Sequence, residues 1–391
     1  MSTLKVDAIR HNSATSDAIT TAADGTCTAK LTSVGGGQLS HRNLIINGDF
    51  QVAQRASSSN NNGYTSVDRW KIESSNITHN STKSQQSLSS SDTPYTLGFR
   101  RFARIALAQA GVVAANSYVE FHHKMEAQNV SNSGWNYNST SSFITLQFWF
   151  RCSTNQTFYA WVTSTDGTNK RFTFSFTASG NNVWTKVTKT IPGASGIQID
   201  NDTGEGFNVV IAPFYGTDYT GSMSLDTWVT KNDATHSPDY ASTWLTAGAS
   251  TFDITGVQLE VGDTATTFEH RSYQDEFLRC CRYYYKLEGR FTAAGRGAGS
   301  SAYLASISTP VPLRAQPTLG TGTNSEGESF SIRVYKYNGI SDSTNTPTVG
   351  TRGWMPGNNH ITMYQTGQSV VDDRVLNIYM GGGYIDFNSE I

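Results

Sequence analysis

Between residues 101 and 261 the apolar side chains recur at every second position, and that period leaves few folds open. In the run from Ile144 to Phe150, Ile144, Leu146, Phe148 and Phe150 share one face. In the run from Arg171 to Phe176, three phenylalanines (Phe172, Phe174, Phe176) alternate with Arg171, Thr173 and Ser175. A period of two with one polar face is what an antiparallel sheet solvated on one side requires. Further runs predict strands at Arg101–Leu107, Tyr118–Met125, Thr157–Thr163, Trp184–Thr190, Gly206–Ile211 and Asp253–Val261. Gly, Asn, Asp and Ser clusters separate them, the pattern of a β-sandwich. The segment from Leu44 to Gln54 opens this region as a further strand. The polar insert from about Ser74 to Thr96 reads as a surface loop.

The period changes once. Tyr273, Phe277, Cys280, Cys281 and Tyr284 fall at helical spacing, with Gln274, Asp275, Arg279 and Arg282 on the opposite side. Ser272 and Asp275 make an N-cap signature in front of them. That apolar face is too wide for a lone surface helix, so these five residues are expected to pack between domains or along a trimer axis. Strand patterns then resume at Tyr283–Leu287, Ala302–Ile307, Phe330–Tyr337, His360–Tyr364, Arg374–Tyr379 and Tyr384–Phe387. Pro310, Pro312 and Pro317 make the stretch between Ser308 and Gly320 an edge or a connection.

The first 43 residues stand apart, because they contain no Phe, Trp or Tyr and so bury little area alone. Short strands are expected around Leu4–Ile9 and Cys27–Leu31, a turn at Ala23–Thr26 and a flexible joint at Gly35–Gly37. The organisation expected is all-β. An extended N-terminal attachment segment (1–43) precedes a jelly-roll-like sandwich (44–270), a connecting helix and junction (271–286) and a second β-sandwich (287–391).

Composition narrows the function classes. Charged residues make up 15% of the chain and the formal net charge is -2, which gives nucleic-acid binding no electrostatic support. No apolar run is long enough to span a bilayer, so no membrane insertion is expected. The four cysteines (Cys27, Cys152, Cys280, Cys281) form no CxxC pair and read as free thiols of a protein folded in a reducing cytoplasm. Nucleophile motifs are missing: there is no GxSxG elbow. His122 and His123 point to opposite faces of one strand and cannot share an ion. Glu120, Glu126, Asp253 and Glu260 lie in or beside strands without a hydrolase motif. The glycine-rich run from Gly295 to Ser301 has no P-loop lysine and reads as a loop. A polar, weakly charged, aromatic-rich surface suits neutral sugars. Trp135, Tyr137, Trp161, Trp184, Trp228 and Trp244 are candidate stacking platforms, most of them assigned to the core. Trp135 and Tyr137 lie in a polar loop and are the candidate carbohydrate-binding pair.

Two stretches resemble known proteins. Leu44–Gln54 with Asp68-Arg69-Trp70, and later the strands around Phe148, Trp184 and Asp253, resemble carbohydrate-binding-module-like jelly rolls of bacteriophage fibres. That resemblance implies that the first and last strands pair. It also implies a candidate structural calcium, with Asp49 and Asp253 as the matching positions, although calcium takes about six to eight oxygens. No other cofactor is expected. Phe268–Tyr273, the adjacent cysteines, Arg282–Tyr285, Pro312–Pro317 and Ile385–Ile391 closely resemble a junction common in phage tail-fibre proteins. The implied protein is a non-enzymatic, homotrimeric adhesin of the virion. Residues 1–43 would dock on a tail, adaptor or nozzle protein, and the rest would recognise host surface polysaccharide. A tailspike-type depolymerase and a purely structural fibre or adaptor are the alternatives.

Overall fold

The computed structural model describes residues 6–10, 12, 15–29, 41–77, 81–297, 302–336, 339–343, 348–349, 354–366 and 375–391. Near the N-terminus, β1 (Ala8–Ile9), β2 (Ile19–Thr21) and β3 (Cys27–Ala29) form a small sheet. It realises parts of both expected strands and adds one. Leu4 and Gly35–Gly37 lie outside the described residues.

The next unit is the expected sandwich. Its elements are β4 (Ser58–Ser59), β5 (Trp70–Ser75), β6 (Ser81–Ser87), α1 (Thr93–Thr96), β7 (Arg101–Leu107), β8 (Tyr118–Glu126), α2 (Ala127–Ser131), β9 (Phe143–Cys152), β10 (Thr157–Ser164), β11 (Lys170–Thr177), β12 (Thr185–Pro192), β13 (Glu205–Tyr215), β14 (Trp228–Thr230), α3 (Thr243–Thr246) and β15 (Thr251–Val261). A front sheet has the order β14-β11-β10-β13-β8-β5, and a back sheet β12-β9-β15-β7-β6-β4. Alternation decides which side of each strand is inside. Phe148 and Phe150 of β9 meet Phe158, Phe176 and Phe252 in the core, with Phe150 and Phe176 rings 4.8 Å apart, edge to face.

The opening segment does pair with the last strand, as the resemblance implied. Leu44 N donates to Leu259 O and Val257 N to Gly48 O. It is held by bends rather than as a regular strand, however. Gly48 is needed there, since a Cβ would lie 2.1 Å from Val257 O. The insert expected as a loop instead contains β6, in full register with β7. Its Ser, Thr, Lys and Gln side chains hide the strand from a hydrophobic pattern. Ser81, Lys83 and Ser84 are nonetheless buried, and half-buried Gln85 donates from Nε2 to Phe50 O and Gln51 O.

Helix α4 (Tyr273–Cys281) begins at Ser272, whose hydroxyl accepts from Asp275 N at 3.1 Å. The buried stripe is Glu276, Cys280 and Tyr283, flanked by Phe277 and Cys281. Tyr273 is 56% exposed and, among the described aromatic rings, touches Phe277, so within one chain it lies outside the packing between the units, and its expected place along a trimer axis concerns an assembly of several chains. The cause is Glu276, an acidic residue that a hydrophobic pattern reads as outward. It turns in to accept from Asn47 N and to pair with Arg271, and so rotates the helix. Phe277 and Cys280 meet Ile46, Val52 and Ile391, so this part of the helix does lie between the two units. Tyr284 is buried too, but in a strand.

The C-terminal unit continues with β16 (Tyr284–Glu288), β17 (Phe291–Gly297), β18 (Ala302–Ser308), β19 (Thr318–Gly322), β20 (Ser331–Lys336), β21 (Gly339–Ser343), β22 (Thr348–Val349), β23 (His360–Thr366), β24 (Val375–Gly382) and β25 (Tyr384–Asn388). They form a three-stranded sheet, β16-β25-β19, and a seven-stranded one, β21-β20-β24-β17-β18-β23-β22. The expected loop at Gly295 is, through Gly297, part of β17. The proline-rich stretch is a connection into the edge strand β19. Charged side chains tie this unit to the sandwich: Arg282 grips Glu126 at 2.6 and 2.7 Å, and Arg55 and Arg69 both reach Glu390.

Candidate functional site

The outward side of the back sheet is closed by its own chain. Residues 262–271 run across it, where Gln147 Nε2 donates to Thr266 O (2.7 Å) and Thr145 Oγ1 to Gly262 O (2.8 Å). Glu260 accepts from Thr266 N and Oγ1. Leu88, Phe99, Phe102, Trp184 and Phe268 pack over the rest. Beneath them Asp253, fully buried, accepts from Arg104 Nε (2.7 Å) and NH2 (2.8 Å) and from Arg151 Nε (3.0 Å).

The outward side of the front sheet is different. Register places Arg171, Thr163, Asn208 and Lys124 on one rung across β11, β10, β13 and β8. Thr173, Trp161, Val210, His122 and Lys71 lie on the next rung. The segment 216–242 folds over one end of this face. Tyr240 OH donates to Ala212 O (3.1 Å) and Thr173 Oγ1 to His236 O (3.0 Å). Between that segment and β8 lies a groove of about 450 Å³, within the size range of small-molecule sites.

Its floor is aromatic and charged. Trp161, Tyr215 and His236 pack together, with Trp161 and Tyr215 ring centroids 5.3 Å apart. Glu120 accepts from the Tyr215 hydroxyl and faces His122 Nδ1 at 3.6 Å. Burial pushes the Glu120 carboxyl up, but His122 and Tyr215 outweigh that and hold it down to about 2. Burial, with Arg171 beside it, pushes His236 down to about 4, so its ring is neutral at neutral pH. Glu205 is bonded to Lys124 (2.7 Å) and Asn208 (2.7 Å), and Asp233 to Lys231 (2.9 Å). Both carboxyls sit below the ordinary range: burial raises Glu205 but Lys124 outweighs it, and Lys231 lowers Asp233.

The residues singled out from sequence mostly lie elsewhere. Trp135 is 3% exposed and packs edge-on against Phe207, with its Nε1 donating to Ser142 O (3.4 Å). It is therefore a core tryptophan, and the expected platform is not presented to solvent. Tyr137, half-buried, lies against Trp135 and donates to Ile199 O. The polar loop misled because its backbone covers the ring. Asp253 is engaged by two guanidiniums, those of Arg104 and Arg151. Asp49 belongs to a different cluster, bonded to Gln51 and near Arg271. The two candidate calcium positions thus have separate partners. Among the described residues no group of three or more His, Cys, Asp or Glu is placed to hold a metal. Of the four carboxylates noted in the sequence (Glu120, Glu126, Asp253 and Glu260), Glu120 lines the groove. One signal for it was in the sequence: Arg171, Trp161 and His122 all fall on the polar phase of their alternating strands.

No family model matches the chain, and no curated protein does. Among solved structures it is similar to a family 4 carbohydrate-binding module (14% identity, TM-score 0.28, covering 56% of this chain and 99% of the other). It is similar also to the N-terminal cellulose-binding domain of Cellulomonas fimi β-1,4-glucanase C (9% identity, TM-score 0.26, covering 55% and 99%). A third is the enzymatically active domain of bacteriophage CBA120 tailspike protein 4 (10% identity, TM-score 0.31), where 59% of this chain matches 24% of the other. Likenesses at this level assign no ligand to this chain.

Proposed function

We propose that this protein is a non-enzymatic adhesin of the phage tail-fibre type that holds a surface polysaccharide in the front-sheet groove. The observation that carries the reading is the groove itself: an array of charged and hydrogen-bonding side chains over a buried aromatic cluster, on one sheet. Sugars offer many hydroxyls, and such a surface complements them. The low charge of the chain limits nonspecific adhesion. Three copies per fibre would raise the avidity of a weak single site. The tail partner of residues 1–43 and the virion location follow from the same reading.

The groove chemistry favours binding over hydrolysis. A glycosidase needs a protonated carboxylic acid beside a carboxylate. Here Glu120, Glu205 and Asp233 all sit below the usual carboxylate range, so none is ready to donate a proton at neutral pH. The test is retention of purified protein by host cells and by polysaccharide extracted from them, with light scattering for oligomeric state. Trimers that bind and block infection, without releasing reducing sugar, support the adhesin. Reducing-sugar release would make it a depolymerase. Trimers that bind nothing would make it a structural segment.

A further inference from the structure

One side chain in the groove lacks the partner that its chemistry calls for. Arg171 lines the groove yet is only 2% exposed. Among the described residues its NH1 donates to Asn232 O at 3.3 Å and its Nε has no hydrogen-bond partner. The guanidinium lies 5.5 Å from the centroid of Trp161. No carboxylate forms an ion pair with it among the described residues, because the nearby ones are committed elsewhere: Glu120 to Tyr215, Glu205 to Lys124 and Asp233 to Lys231. Burial accordingly pushes Arg171 down to about 10, the neighbouring acids only partly compensating. It remains charged at neutral pH. A buried guanidinium that keeps its charge with no carboxylate paired to it is suited to an anionic ligand. Among the described residues Arg42, Arg69 and Arg271 also leave a nitrogen without a partner, but each is paired with a carboxylate (Glu260, Glu390 and Glu269), as Arg104 and Arg151 are with Asp253.

We propose that the ligand of this groove is an acidic sugar residue whose carboxylate binds Arg171; this rests on the reading of the groove as a glycan site. Arginine's planar fork matches a carboxylate. A single negative charge suits a groove that already holds three ionised acids better than a doubly charged phosphate would. Elsewhere on the floor, His122 turns Nδ1 toward Glu120, and its Nε2, buried and without a partner among the described residues, is a second polar atom open to a sugar hydroxyl. The expectation of a neutral glycan, drawn from low overall charge, is thereby replaced by one drawn from the groove.

The experiment compares binding of the full-length protein to polygalacturonate, alginate, hyaluronate and polysialate, to their carboxyl-reduced counterparts, and to dextran sulfate. Binding of at least one carboxylated chain is expected, weakened at least about tenfold by carboxyl reduction and likewise by Arg171→Gln. Arg171→Lys should retain part of it. If Arg171→Gln does not fold, as judged by circular dichroism, the carboxyl-reduced chains decide the matter without it. Equal binding of a carboxyl-reduced chain overturns the acidic-sugar proposal and leaves the glycan site standing. Binding of dextran sulfate alone overturns it too. If no chain binds, charged or neutral, both readings fall.

Discussion

The two sheets of the sandwich are built by the same alternation but use their outer faces in opposite ways. On the back sheet two arginines converge on one fully buried aspartate, and residues 262–271 seal the surface over neighbouring strands. On the front sheet one buried arginine has no carboxylate, and the covering segment 216–242 leaves a groove beside it. Unfilled hydrogen-bonding capacity is costly in a protein interior. Closing it with the protein's own groups gives stability. Leaving it open toward a groove leaves it for something else. That difference is the basis for the proposal that the back face is architectural and the front face the one that binds ligand.

The largest effect expected from breaking this contrast is on the back sheet. Asp253→Ala leaves Arg104 without a counter-charge beside Arg151, which keeps only Asp92, and should lower stability to urea by about 3–5 kcal/mol. Next is a pH effect in the groove. The folded-state pKa of His236 is about 4 against an ordinary 6.5, so its contribution is complete above pH 6.5. It is lost as pH falls from 6.5 through 4, because the unfolded chain takes up the proton first. Between pH 7 and pH 4, wild type should therefore lose up to about 3 kcal/mol more than His236→Gln, read from paired urea titrations. Tyr215→Phe removes the donor that holds Glu120, and should cost about 1–3 kcal/mol. The smallest effect is the sharpest for the comparison. Arg171→Met should change stability by less than about 1 kcal/mol, since it removes a buried charge that no carboxylate offsets. A loss as large as that of Asp253→Ala would mean that Arg171 is architectural after all.

The strands of the sandwich were legible in sequence wherever phenylalanine and isoleucine alternate with polar residues. Strand β6 was not, because Ser81–Ser87 is polar on both phases and its place is fixed by pairing with β7. The capped helix was legible from Ser272, but its buried face was not. Glu276 is held inside by Arg271 and Asn47, partners far away in sequence or hidden by charge. The groove was half legible. His122 and His123 do part to opposite faces, with His123 beside Trp70 in the core and His122 in the groove. What joined Glu120, Trp161, Arg171 and Tyr215 was strand order, which no local pattern encodes. Trp135 was misplaced for the converse reason: a polar loop sequence says nothing about which side of the loop its ring lies on.

The central claim, that ligand occupies the front face and leaves the back face untouched, is tested most directly by hydrogen–deuterium exchange of the full-length protein with and without a polysaccharide that it retains. The account predicts slower exchange in β8, β10, β13 and residues 231–236, with residues 253–271 unchanged. Protection confined to the back sheet or to the C-terminal unit would contradict it.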